Sequence, residues 1–148
     1  MQLVYGAFMA GLKTAVMAPT WPDINGKIIP AGLNELVPSA KNLVYNPIAI
    51  HFIHRGLAYL LLCMIFTWWL KAKTIKENRL FRRLRLSLLL LVVLQVILGI
   101  LTVLNATYPN RLVWLGVSHQ FTAMLLVMAV VCLLFVVKKG PLFPEGGT

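Results

Sequence analysis

Acidic residues are nearly missing from this chain: four among 148 residues, Asp23, Glu35, Glu77 and Glu145, against 14 lysines and arginines. None of the four falls in an apolar stretch, so no membrane-buried carboxylate is available for acid–base work or to neutralise a buried cation. Histidine is scarce, at three residues, and cysteine at two. That shortage disfavours zinc and di-iron centres, which are built from clustered Cys, His or carboxylate ligands. Cys63 and Cys132 each stand late in an apolar run, where a thiol acts as a small hydrophobe and carries no assigned function. No segment is polar enough to fold as a water-facing domain. The net charge of +10 therefore does not mark a nucleic-acid-binding protein, which needs a basic face on a folded polar surface. A charged leader followed by a short apolar core and a small-residue cleavage site is also lacking, so the first helix is expected to stay in the protein.

What is present is apolar. The chain is 59% hydrophobic and 12% charged, a composition that belongs in a bilayer. Four apolar stretches stand out, at residues 1–18, 46–70, 86–105 and 112–137, and the last three have the roughly 20 residues needed to cross about 30 Å of hydrocarbon. The fold expected is all-α, a single four-helix transmembrane bundle over residues 1–148. A loop rich in Pro, Gly and Asn, residues 19–45, joins the first two helices, with room for one short helix. Lys71, Lys73, Lys76, Arg79, Arg82, Arg83 and Arg85 crowd the link at 71–85 against one acid, Glu77, which places that link on the cytoplasmic side and residues 19–45 outside. Lys138 and Lys139 follow the fourth helix onto the same side. Trp21, Tyr45, Tyr108 and Trp114 fall near the outer interface, where aromatic belts are expected.

The helices repeat in pairs. Gln2-Leu-Val-Tyr-Gly6 in the first matches Gln95-Val-Ile-Leu-Gly99 in the third. His54-Arg-Gly-Leu-Ala58 in the second matches His119-Gln-Phe-Thr-Ala123 in the fourth. The chain reads as two related helical hairpins. By the same analogy, the first helix is truncated by about nine residues, or roughly 13 Å at 1.5 Å per residue, as a fragment would be.

His54 and His119 enter the membrane from one face, at roughly 10–12 Å depth if each helix rises 1.5 Å per residue. Equal depth is what a shared ligand requires, and imidazole is a common axial ligand of haem iron. Ala58 and Ala123, one turn below, leave room for a flat macrocycle. The competing reading is a pair of buried histidines bonded to neighbouring helices. Arg55, an intramembrane arginine, is open to two readings: partner of a haem propionate, or a side chain reaching to the interface. His51, one turn above His54, is read as an interfacial residue ahead of a ligand or a hydrogen-bond partner. Gln2 and Gln95 are read as interhelical hydrogen-bonding residues.

Taken together, Gln2 to Leu12, Thr20-Trp-Pro22, Asn46-Pro47, His51-Phe-Ile-His-Arg55, Gln95 to Leu104 and His119-Gln120 resemble the C-terminal half of the haem A synthases of the cytochrome oxidase assembly type. That family is built from two similar four-helix halves and oxidises a methyl group of haem O to the formyl group of haem A. The resemblance implies a b-type haem, with its iron, held by His54 and His119, and a haem propionate on Arg55. It also implies haem O as substrate of the pathway and a bacterial cytoplasmic or mitochondrial inner membrane as location. The family's N-terminal half carries a glutamate three residues before its His-Arg pair. Here that position is His51, and the N-terminal half's own histidine pair is absent, which puts independent catalysis in doubt.

Three functions follow in order. The first is a haem A synthase-like protein or fragment that binds haem b and takes part in haem O oxidation, with a missing N-terminal half or a second copy of the chain as partner. The second is a small membrane cytochrome b that only transfers electrons, and the third is a structural membrane subunit without haem.

Overall fold

A computed structural model describes residues 1–73 and 79–139. Lys76 and Glu77 of the basic link and Glu145 of the tail lie outside the described residues. The chain forms α1 (Gln2–Gly11), α2 (Thr14–Met17), a single 3-10 turn at Ser39–Lys41, α3 (Asn42–Tyr45), α4 (Pro47–Ala72), α5 (Arg79–Leu104) and α6 (Pro109–Lys139). It is all-helical, with no strand among the described residues, and broadly a four-helix bundle made of α1, α4, α5 and α6. Three of these, α4, α5 and α6, are long and apolar enough to cross a membrane.

The first apolar stretch is not one helix over residues 1–18. Lys13 takes a left-handed conformation, φ 50° and ψ 38°, between α1 and α2. An L-residue in that region cannot continue a right-handed ladder, so the chain turns there and Lys13 stays exposed. With 10 residues, α1 is about 15 Å long, near half of a bilayer core.

The basic link is shorter than the expected loop at 71–85, because α4 runs to Ala72 and α5 begins at Arg79. Arg and Leu are good helix formers, and long cationic side chains let a helix continue past the hydrocarbon edge that ends a hydropathy window. Arg85 lies buried on α5 and its Nη1 donates to the Ala72 carbonyl at 2.8 Å, satisfying one of the orphan carbonyls at the end of α4. The Lys73 ammonium sits 3.7 Å from the Trp69 ring centroid.

At its other end α4 begins sharply. Pro47 occupies the first turn, and Asn46 Oδ1 accepts from the amides of Ile48 at 3.0 Å and Ala49 at 3.2 Å. Asn46 Nδ2 donates to the Gly32 carbonyl at 2.6 Å and to Asn42 Oδ1 at 2.8 Å. Asn42 in turn donates to Asn34, Leu36 and Ser39. The long loop is thus laced onto the outer end of α4 by two asparagines, whose amides can both donate and accept.

Packing divides the bundle into hairpins. α1 packs on α4, α5 packs on α6, and α4 joins α5. An apolar cluster of Ile65, Ala72, Phe81, Leu88, Val92, Leu126, Leu133 and Val136 fills one end. A smaller one, Ala15, Val103 and Ala106 with Leu112 against it, fills the other. Along α5 and α6, Gln95 and His119 fall between the two clusters. Side chains such as Val113, Trp114, Val117, Phe121, Met124 and Leu134 point away from the bundle and are exposed. In water such a surface would associate; against acyl chains it is the expected solvent-facing side.

Candidate functional site

The two hairpins bring the same three residues together twice. In the first, Gln2 Nε2 on α1 lies 3.4 Å from His54 Nε2 on α4. In the second, Gln95 Nε2 on α5 lies 3.2 Å from His119 Nε2 on α6. One turn along from each glutamine is a glycine against the same ring. A methyl group built on Gly6 would lie 3.5 Å from His54 Cε1, and one on Gly99 only 3.1 Å from His119 Cε1. The ring packs where a side chain would otherwise stand, so glycine at 99 is required by close approach. These four partners are the ones the sequence repeat aligns.

Each imidazole has one nitrogen facing an amide and the other, Nδ1, buried without a hydrogen-bond partner. An unpartnered buried polar atom is costly unless something occupies it. Among the described residues α4 and α6, the helices that carry the two histidines, do not pack closely against each other. Among the described residues there is no group of three or more His, Cys, Asp or Glu side chains. Two imidazole donors without a third protein ligand would suit a haem iron, for which histidine is a common protein ligand. The donor set therefore fits the group that the sequence pattern implies.

Arg55 sits above this level and is committed to the outer loop. Its Nη1 donates to the Asp23 carbonyl at 2.6 Å and the Pro22 carbonyl at 3.4 Å, and its Nη2 to the Thr20 carbonyl at 2.6 Å. Its Nε donates to His51 Nε2 at 2.9 Å. The planar fork reads three loop carbonyls and one imidazole at once, which a lysine could not do. His51 is fully buried, 0% exposed, and serves as the acceptor of Arg55, a hydrogen-bond partner as one of its open readings allowed. Acceptance at Nε2 leaves the His51 proton on Nδ1, which is buried and unpartnered.

The loop segment that Arg55 grips is ordered by its own contacts. The Gly26 amide donates to Asp23 Oδ1 at 2.8 Å, and the Thr20 hydroxyl to the Asp23 carbonyl at 3.1 Å. The Gly26 amide, with help from Thr20, holds the Asp23 carboxyl below the usual carboxylate range. Trp21 Nε1 donates to the Tyr59 hydroxyl of α4 at 3.0 Å, fixing a second point of contact.

Gln2, Gln95, Gly6 and Gly99 were all visible in the repeat, but only the structure shows that each Gln and Gly closes on the histidine of its own hairpin. The signal was the shared four-residue offset from Gln to Gly, paired each time with a downstream histidine. Cys63 and Cys132 are exposed on the bundle surface and away from this site.

A profile of the cytochrome oxidase assembly protein family matches residues 1–131. The chain belongs to this family. It is 32% identical over 138 residues to a heme A synthase of Wolbachia sp. subsp. Brugia malayi, covering 93% of this chain and 38% of that protein. To a heme A synthase of Beijerinckia indica it is 37% identical over 143 residues, covering 94% of this chain and 38% of the relative. A third, the heme A synthase of Bartonella quintana, is 35% identical over 133 residues, 88% of this chain and 34% of the relative. The chain thus spans well under half the length of the relatives it matches. No solved structure matches it. Family membership and three spanning helices together describe an integral membrane protein.

Proposed function

We propose that this chain is a haem-binding membrane module of haem A biosynthesis for cytochrome oxidase assembly, in which His54 and His119 would hold a b-type haem. One observation carries the reading: two half-buried imidazoles, one in each hairpin, each with one nitrogen against a glutamine and a buried Nδ1 without a partner. The names of the relatives support the pathway, haem O being the substrate that a heme A synthase would use. A haem bound here would supply one-electron transfer. The protein's part is to fix both rings, to exclude water with the apolar clusters on either side, and to close the outer rim. Arg55 belongs to that rim. A propionate placed there would compete with the Thr20, Pro22 and Asp23 carbonyls for its guanidinium. The bacterial relatives favour a bacterial cytoplasmic membrane, with the basic link facing the cytoplasm.

A second reading, a membrane cytochrome b that transfers electrons without making haem A, is favoured by the lack of any carboxylate in the spanning helices. Methyl oxidation needs a proton acceptor near the substrate, and His51, one turn above His54 on α4, is already bonded to Arg55.

The experiment is to express the chain in a host that makes haem O and lacks its own synthase. The reading requires a six-coordinate low-spin spectrum in the reduced-minus-oxidised difference. Purified protein without haem would overturn it. Chromatography of extracted haem then separates the two readings: haem A formed only together with a complementary half supports the first, and haem b alone under every condition supports the second.

A further inference from the structure

The glutamines carry a consequence beyond the ligands themselves. In both hairpins the amide nitrogen faces the imidazole, while the amide oxygens, Gln2 Oε1 and Gln95 Oε1, are buried with no partner. An imidazole that offers a lone pair at its unpartnered nitrogen must carry its proton on the other, and that proton needs an acceptor. A half-turn of the amide about its last bond places the carboxamide oxygen against the N–H. The same half-turn satisfies the amide oxygen and leaves the lone pair of Nδ1 for a metal. Amide orientation and imidazole tautomer are set by the hydrogen-bond network that results.

Resting on the haem reading above, we propose that Gln2 and Gln95 are positioning residues: each accepts the N–H of its own histidine, holds that ring in the tautomer that can ligate iron, and tunes the iron through it. Partners of this kind orient metal-bound imidazoles and raise their basicity, and losing one weakens metal binding by about 10–100-fold. Gly6 and Gly99 belong to the same device, since the absence of a side chain lets the ring approach the helix that carries its glutamine. The two cradles are unequal. The second is tighter at both points, 3.2 Å against 3.4 Å at the amide and 3.1 Å against 3.5 Å at the glycine, so Gln95 has the larger influence.

The test is a potentiometric titration of the full-length haem-loaded chain, followed at its visible bands, for Gln95→Leu, Gln95→Glu, Gln2→Leu and Gln2→Glu. Removing the acceptor in Gln95→Leu raises the midpoint potential and weakens haem retention, because a less basic imidazole stabilises ferric iron less. A carboxylate acceptor in Gln95→Glu retains the haem and lowers the potential. The Gln2 pair shifts in the same directions by less. Because Gln95→Glu keeps the size of the side chain, it decides the matter if Gln95→Leu fails to fold. Unchanged potentials in all four variants, or loss of haem from both Gln95 variants, would overturn the proposal. Failure of the haem reading looks different: the unsubstituted chain would then show no low-spin spectrum, or His119→Ala would keep it.

Discussion

The two hairpins use one device in two settings. α5 and α6, of 26 and 31 residues, are both full spans, and their tight turn at Asn105–Tyr108 aligns them along their length. α1 (Gln2–Gly11) ends just before the left-handed Lys13 and packs on α4. The first hairpin is held from outside, where Asn46 and Arg55 bind the loop to the end of α4. The same Gln, Gly and His set is thus held by helix packing in both hairpins, with a hydrogen-bonded loop added in the first. That difference matches the closer contacts at His119.

The comparison can be broken most severely at the histidines. His54→Ala and His119→Ala should each abolish the six-coordinate low-spin haem spectrum, while His51→Ala should keep it, because His51 serves Arg55. Equal survival of the spectrum in His54→Ala and His119→Ala would end the symmetry argument.

Next in size is the outer clamp. Arg55→Ala removes a charged donor from three carbonyls and His51, and should cost roughly 2–3 kcal/mol in the first hairpin, given hydrogen bonds to charged groups of this strength that are partly open to water. Limited proteolysis in proteoliposomes should show faster cutting of the Thr20–Asn34 segment. Arg55→Lys should not restore protection, since a single ammonium cannot reach all the same acceptors.

A smaller effect separates the glycines. Gly99→Ala forces a methyl group to 3.1 Å from His119 and should cost about 1–2 kcal/mol by overpacking, whereas Gly6→Ala meets His54 at an ordinary contact distance and should cost under about 1 kcal/mol. Thermal unfolding in detergent gives the order; the reverse order would mean that the second cradle is the looser one.

The smallest effect is a pH dependence of the loop. The Asp23 carboxyl is held below its usual range in the folded protein, so the unfolded chain takes up its proton first as pH falls. The stabilisation is fully present above the ordinary carboxylate pKa of about 3.9 and is lost as pH drops through the lower folded value. Asp23→Asn should flatten the acid limb of loop protection in hydrogen exchange and leave the second hairpin unaffected.

Composition and hydropathy determined the membrane setting, the number of long spans and the pairing of helices. Burial of an apolar run has no alternative in a chain this poor in charge, and a repeat in sequence must repeat in packing. Residues 1–18 and 71–85 were harder to read. Where a helix stops depends on single residues such as Lys13, which adopts a left-handed turn, and Arg79, which extends a helix beyond the hydrocarbon. The histidines at 54 and 119 were legible because an ionisable group in a membrane stands out against its surroundings. Their surroundings were not. That Gln2 closes on His54 and Gln95 on His119, that Gly99 is pressed against a ring, and that Arg55 turns to the loop carbonyls with His51 as its acceptor were decided only by tertiary structure. The two glutamine–histidine contacts join residues 24 and 52 positions apart, and the direction of a side chain's last hydrogen bond is set by whichever partner the packing brings within about 3 Å, which no spacing along the chain specifies.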